Sequence, residues 1–144
     1  MVNDMDFKLR LHHIAYATKS TDKSIEVFKY IYPNIIRYKK LEKTQKIFYT
    51  YISNNNDTHK IELIEPAGNN SPVDNILGDK ETILYHVCYE VSDFEKGKEY
   101  LKKRGYFMTT KPFEPEHEPG KIVCHFYNPY IGIVEILSEK ENGL

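Results

Sequence analysis

Tryptophan is absent from this chain of 144 residues, cysteine occurs only twice, and no segment approaches the ~20 consecutive apolar residues that a membrane span needs. Each shortage removes a class of protein. Cys88 and Cys124, neither in a CxxC pair, are too few for a disulfide framework and are expected as buried free thiols. The opening MVNDMDFKLRL has no apolar core of the length a secretory signal requires, so a cytoplasmic location is expected. Charge of one sign is also missing: 20 basic against 21 acidic residues leave a formal −1, which gives no reason to expect nucleic acid or a membrane surface as partner. With 40% apolar and 28% charged residues the chain has the makeup of a folded globular protein, and its length fits one domain over 1–144.

What the sequence does have is a phrase written twice. LHHIAYA begins at Leu11 and YHVCYE at Tyr85, each a β-prone run headed by a histidine, His13 and His86. His13 to Glu62 and His86 to Glu135 are both 49 residues, so a shift of 73 superimposes IELI on VEIL as well. The element order repeats too. KLRLHHIAYA reads as a strand, and TDKSIEVFKYIY as a helix capped by Ser20 or Thr21 and ended by Pro33 and Asn34. NIIRYKK, KIFYTYIS and HKIELIEP follow as strands. ILYHVCYEV then reads as a strand, SDFEKGKEYLKKRG as a helix capped by Ser92 or Asp93, and YFMTTK, KIVCHFY and IGIVEILSE as strands. The third strands match better at a shift of 75, Ile47 on Ile122. Module one covers residues 10–66 and module two 83–138, with a linker over 67–82 in which SPVDNIL forms a short helix.

Side chains alternate between faces along a strand, so His13 shares a face with Ala15 and Ala17, and His86 with Cys88. Small neighbours beside an imidazole leave a hollow where a ligand can sit. Glu62 in KIELI and Glu135 in GIVEIL are odder, because carboxylates in strands this apolar need a partner or a metal ion to be buried. One such residue alone carries little weight. Two His/Glu pairs at one spacing in a repeated unit point to a shared site of His13, Glu62, His86 and Glu135, suited to divalent Zn, Ni, Co, Mn or Fe. His12, His59, His117 and His125 have no repeat partner and read as solvent or supporting residues.

HHIAYA, IELIEPAGNNSPVDNIL, YHVCYEVSDFEKGKEYLKKRG and GIVEIL resemble the vicinal oxygen chelate (glyoxalase/bleomycin resistance/dioxygenase) superfamily, most closely its methylmalonyl-CoA epimerase and glyoxalase I-like branch. The resemblance spans Leu11 to Ser138 and implies an α+β fold: two tandem βαβββ modules forming an open curved mixed sheet around a metal site. It assigns the ligands to His13, Glu62, His86 and Glu135. The epimerases also use a Glu after the first helix as a proton shuttle. The matching position here falls near Tyr38 or Lys39, with Glu42 the nearest carboxylate. KPFEPEHEPGK is longer and more acidic than in either relative, which implies a different substrate mouth.

The resulting expectation is a metal-dependent isomerase or lyase that stabilises the enolate of a small carbonyl compound or acyl thioester, with Glu135 or Glu62 moving the proton. Two alternatives stay open. One is an Fe(II) dioxygenase. The other is a metal-free antibiotic-binding protein whose cleft is lined by Tyr49, Tyr51, Phe126 and Tyr127. A homodimer is expected, since an open sheet leaves edges to cover. The basic cluster KKLEK (Lys39 to Lys43) is compatible with a phosphate or CoA tail and equally with a solvated loop.

Overall fold

The computed structural model describes residues 5–140. Its elements follow in the order β1 (Leu9–Thr18), α1 (Thr21–Phe28), β2 (Asn34–Glu42), β3 (Ile47–Ser53), β4 (Lys60–Pro66), α2 (Pro72–Leu77), β5 (Thr82–Val91), α3 (Phe94–Lys102), β6 (Phe107–Met108), β7 (Lys121–Asn128) and β8 (Gly132–Glu139). Strand, helix and three strands therefore occur twice with α2 between them, a mixed α+β fold with eight strands, as the repeat predicts. By their contacts the described residues divide into two units, His13–His86 and the segments on either side of it, so β1 and β5 contribute to both.

In the His13–His86 unit the strand order is β2-β3-β4-β1. β3 runs antiparallel to β2 and β4, while β1 lies parallel to β4 with Ala15 beside Glu62. Alternation separates two faces. Ile52, Ile61 and Leu63 turn to one side, where Ile25 and Phe28 of α1 pack on them together with Ile14 and Tyr16. Each such aliphatic side chain contributes about 1.5–3 kcal/mol when fully buried. The opposite face gathers Ala15, Ala17, Tyr49, Tyr51 and Ile64 under Val73 and Leu77 of α2. It is this second face that carries His13 and Glu62.

Local chemistry sets the helix ends. Ser20 Oγ accepts from Lys23 N at 3.2 Å to start α1. The helix stops at Phe28, short of the expected end at Pro33, and the N–H groups of Ile31 and Tyr32 both turn back to Phe28 O at 2.9 and 2.7 Å. α2 starts with a capping box, in which Ser71 Oγ accepts from Val73 N and Asp74 Oδ2 from Ser71 N.

In the second unit β8, β7 and β6 are neighbours in that order. α3, capped by Asp93 and followed by Gly105 at φ +86°, packs Phe94 and Leu101 on Val91, Cys124, Phe126 and Ile136. The other face holds Cys88, Val123, Leu137 and Phe113. β6 is only two residues long where YFMTTK predicts a full strand. The Thr110 hydroxyl takes the His125 N–H at 2.9 Å, so a side chain replaces the backbone acceptor that would have continued the ladder. The acidic segment before β7 folds back on itself: Glu114 accepts from Gly120 N at 3.1 Å and pairs with Lys140 at 2.8 Å, contacts that hold its carboxyl below the usual range. Both cysteines are buried and unbridged. No helix among the described residues is long and apolar enough to cross a membrane.

Candidate metal centre

Within the His13–His86 unit three of the four expected side chains meet. His13 projects from the middle of β1, His86 from β5, and Glu62 from β4, where it stands opposite Tyr51 of β3. His13 Nε2 lies 3.3 Å from His86 Nε2, and Glu62 Oε1 lies 3.4 Å from the first and 3.8 Å from the second. All three residues are buried, at 2%, 4% and 3% exposure, so these polar groups are withdrawn from bulk water. The Tyr51 ring stands edge-on to His13 at 5.9 Å, and the Tyr85 ring is 4.8 Å from that of His86.

This donor set fits a first-row divalent ion. Two imidazole nitrogens and a carboxylate oxygen are the ligand types such ions take, and a triangle with the observed sides has its centre about 2.0 Å from each corner, the usual length of a zinc–nitrogen or zinc–oxygen bond. His13, Glu62 and His86 form a mutually close group of potential ligand atoms.

Glu135, the fourth expected residue, is on β8 in the other unit and is 8% exposed. Its Oε2 lies 2.6 Å from His125 Nε2, across the β7–β8 pair. The contact is one that the sequence reading missed by treating His125 as a residue without a counterpart. Tyr51 faces Glu62 as His125 faces Glu135, which superimposes the third strands at a shift of 74. The sequence match at 75 sets His125 on Thr50, a residue of the opposite face.

The hollow expected beside His13 is filled. Ala15 and Ala17 are fully buried beneath Tyr49, Tyr51 and the α2 residues Val73 and Leu77. Their small size makes room for aromatic rings instead. Tyr49 and Tyr51 are thus core residues at 7% and 3% exposure, as is Phe126 at 0%; of the four aromatics considered for a binding cleft, Tyr127 is the exposed one.

Residues 12–125 match the glyoxalase/bleomycin resistance protein/dioxygenase superfamily. The chain belongs to this superfamily. It is 27% identical over 85 residues to a mitochondrial methylmalonyl-CoA epimerase from Dictyostelium discoideum, an alignment that takes in 58% of this chain and 50% of the relative, so the chain spans about half the length of that curated protein. The fold is shared with a methylmalonyl-CoA epimerase from Mycobacterium tuberculosis (TM-score 0.76, 15% identity, covering 98% of this chain and 94% of the other). It is also shared with a hypothetical protein from Bacillus halodurans (TM-score 0.75, 20% identity, 95% and 99% covered). A Streptomyces coelicolor methylmalonyl-CoA epimerase variant in complex with 2-nitronate-propionyl-CoA matches with a TM-score of 0.71 at 14% identity, covering 92% and 98%.

In this superfamily member the stretch aligned in the sequence reading with a proton-shuttling Glu is engaged elsewhere. Tyr38 donates to Asp22 Oδ1 at 2.6 Å, and that bond holds the phenol above its usual pKa. Lys39 Nζ is 3.4 Å from Glu65 Oε2. Glu42, the nearest carboxylate, is the last residue of β2, buried, and accepts from Gln45 N to close the turn into β3.

Proposed function

We propose that this protein is a divalent-metal-dependent isomerase or lyase acting through the enolate of a small carbonyl compound or acyl thioester. The observation that carries the reading is the buried convergence of His13 Nε2, His86 Nε2 and Glu62 Oε1. A bound Zn, Ni, Co, Mn or Fe ion would supply positive charge where the negative charge of an enolate develops. The residues of the chain do the rest. His13 and His86 would hold the ion through neutral imidazole nitrogens, and Glu62 would add one negative charge. The proposal keeps Glu135 as the fourth ligand that the resemblance assigns. It also gives the proton removed beside the carbonyl to a carboxylate, Glu135 first and Glu62 second, which accepts it and returns it.

Acyl-CoA thioesters are the first substrates to try, because the curated relative is a methylmalonyl-CoA epimerase. The test is proton exchange into deuterated water by metal-reconstituted protein given methylmalonyl-CoA. Glu135→Gln should abolish exchange and leave the circular dichroism spectrum intact; undiminished exchange rejects the reading. A homodimer is part of the same proposal, and a sedimentation mass of one chain would remove that part.

A second reading draws on the same three donors. Two histidines and one carboxylate are also the set that Fe(II) oxygenases present to iron. Oxygen consumption by the iron-loaded protein with a catechol, and none of the exchange above, would favour it.

A further inference from the structure

β2 is distorted next to the proposed site, and the distortion turns Lys39 away from it while Arg37 and Lys40 keep to its face. Arg37 pairs with Tyr51 and Lys40 with Tyr49, so Tyr38 and Lys39 together oppose the single residue Thr50. Lys39 adopts φ +45°, a left-handed conformation unfavourable for a residue with a β-carbon. Its N–H donates to the fully buried Thr50 Oγ1 at 2.8 Å, which pins the bulge. In a regular strand residues 37 and 39 would share a face. Here Lys39 instead turns to Glu65, whose other oxygen accepts from Thr21 N at the start of α1 at 2.7 Å. Lys39 thus lies on the helix side of the sheet, and Arg37 and Lys40 are left on the other, Arg37 in the row of Glu62 and Lys40 in that of Ile64.

Arg37 lies against Tyr49, with Nη1 3.4 Å from the phenol oxygen and the guanidinium carbon 5.8 Å from the ring centre. Along the register, Arg37, Tyr51, Glu62 and Ala15 form one cross-strand row. Two strand spacings, about 10 Å, therefore separate the backbones of Arg37 and Glu62 on a common face. Tyr49 and Tyr51 fill the space around that row and are themselves almost wholly buried, while Arg37 is exposed. A guanidinium is permanently charged and presents a planar fork of donors that matches a carboxylate or phosphate.

We propose that Arg37 is a specificity-determining residue that binds an anionic group of the substrate, a carboxylate or a phosphate, while the reacting end of the same molecule lies at Glu62. The basic character of KKLEK in the sequence thus bears on the site through its neighbour Arg37, since Lys39 is committed to Glu65.

This inference rests on the proposed use of the Glu62 face, so it is tested by binding rather than turnover. Calorimetric titrations of metal-reconstituted wild type, Arg37→Met, Arg37→Lys and Lys40→Met are compared, with methylmalonate and coenzyme A as the two probes. Arg37→Met should weaken one probe by about 10- to 100-fold, the usual worth of a hydrogen bond to a charged group. Arg37→Lys should fall between, and Lys40→Met, which removes an exposed cation of the same face that lies in the row of Tyr49 and Ile64 rather than of Glu62, should stay near wild type. Loss with methylmalonate identifies an acyl carboxylate as the anion; loss with coenzyme A identifies the phosphates. The inference is overturned if neither probe binds wild type, if Arg37→Met leaves both unchanged, or if Lys40→Met loses as much, which would mean a diffuse field. Should Arg37→Met fail to fold, the graded loss in Arg37→Lys carries the same decision. Arg37-dependent binding without proton exchange on methylmalonyl-CoA would remove the proposed reaction and leave this inference standing.

Discussion

His125 stands directly across the β7–β8 pair from Glu135, its Nε2 2.6 Å from the carboxylate Oε2. The side chains are only 17% and 11% exposed. Hydrogen bonds to a charged group contribute about 1.5–3 kcal/mol, and a buried acceptor left without its donor costs about 1–3 kcal/mol. His125→Ala should therefore lower the unfolding free energy by roughly 1–3 kcal/mol, with Asn at this position restoring part of it. Urea denaturation measures the effect. An unchanged midpoint would mean that the contact contributes nothing.

The same pair marks where sequence reasoning stopped. The equal 49-residue spacing of His13–Glu62 and His86–Glu135 was readable because β1, β4, β5 and β8 are regular and apolar. The helix starts were readable to within a residue, at Ser20 or Thr21, at SPVDNIL and at Ser92 or Asp93, because capping is local; the structure selects Ser20, Ser71 and Asp93. The third strands offered only the match of Ile47 to Ile122, which aligns them one residue away from the observed register, and an error of one residue exchanges the faces of a strand. His125 was lost to that error. The bulge at Tyr38–Lys39 was hidden for a different reason: it depends on Thr50 and Glu65, which are distant in sequence. Nor could composition show that Ala15 and Ala17 accommodate tyrosine rings rather than a ligand.

The capping box of α2 has a consequence for the site-bearing face. Ser71 is 2% exposed, and Val73 and Leu77 of the helix it starts cover Ala15, Ala17, Tyr49 and Tyr51. Ser71→Ala should cost about 1 kcal/mol, at most ~2. Leu77→Ala should cost about 2–5 kcal/mol through the cavity it leaves. Thermal melts of the two variants check the order; a Ser71 effect equal to that of Leu77 would contradict it.

Burial pushes the Cys124 thiol up to about 12. Ellman's reagent should label neither cysteine in the native protein at pH 8 and both in guanidinium, about pH 8 being already near the pKa of an ordinary thiol. The sign for stability follows from linkage. The folded state keeps the Cys124 proton while the unfolded chain releases it above about pH 9, so the contribution is whole below pH 9 and is lost as pH rises from there toward 12. Wild type should lose more stability than Cys124→Ala across that window. Parallel curves would contradict the shift.

The account depends above all on His13, Glu62 and His86 gripping one cation. Elemental analysis after reconstitution and exhaustive gel filtration tests this most directly, on wild type and on His13→Ala/His86→Ala with folding verified by circular dichroism. About one divalent ion per wild-type chain and almost none in the folded variant is the predicted result, since two of the three nitrogen and oxygen donors are gone. Equal metal content in the two proteins, or a wild type that retains none, would contradict it.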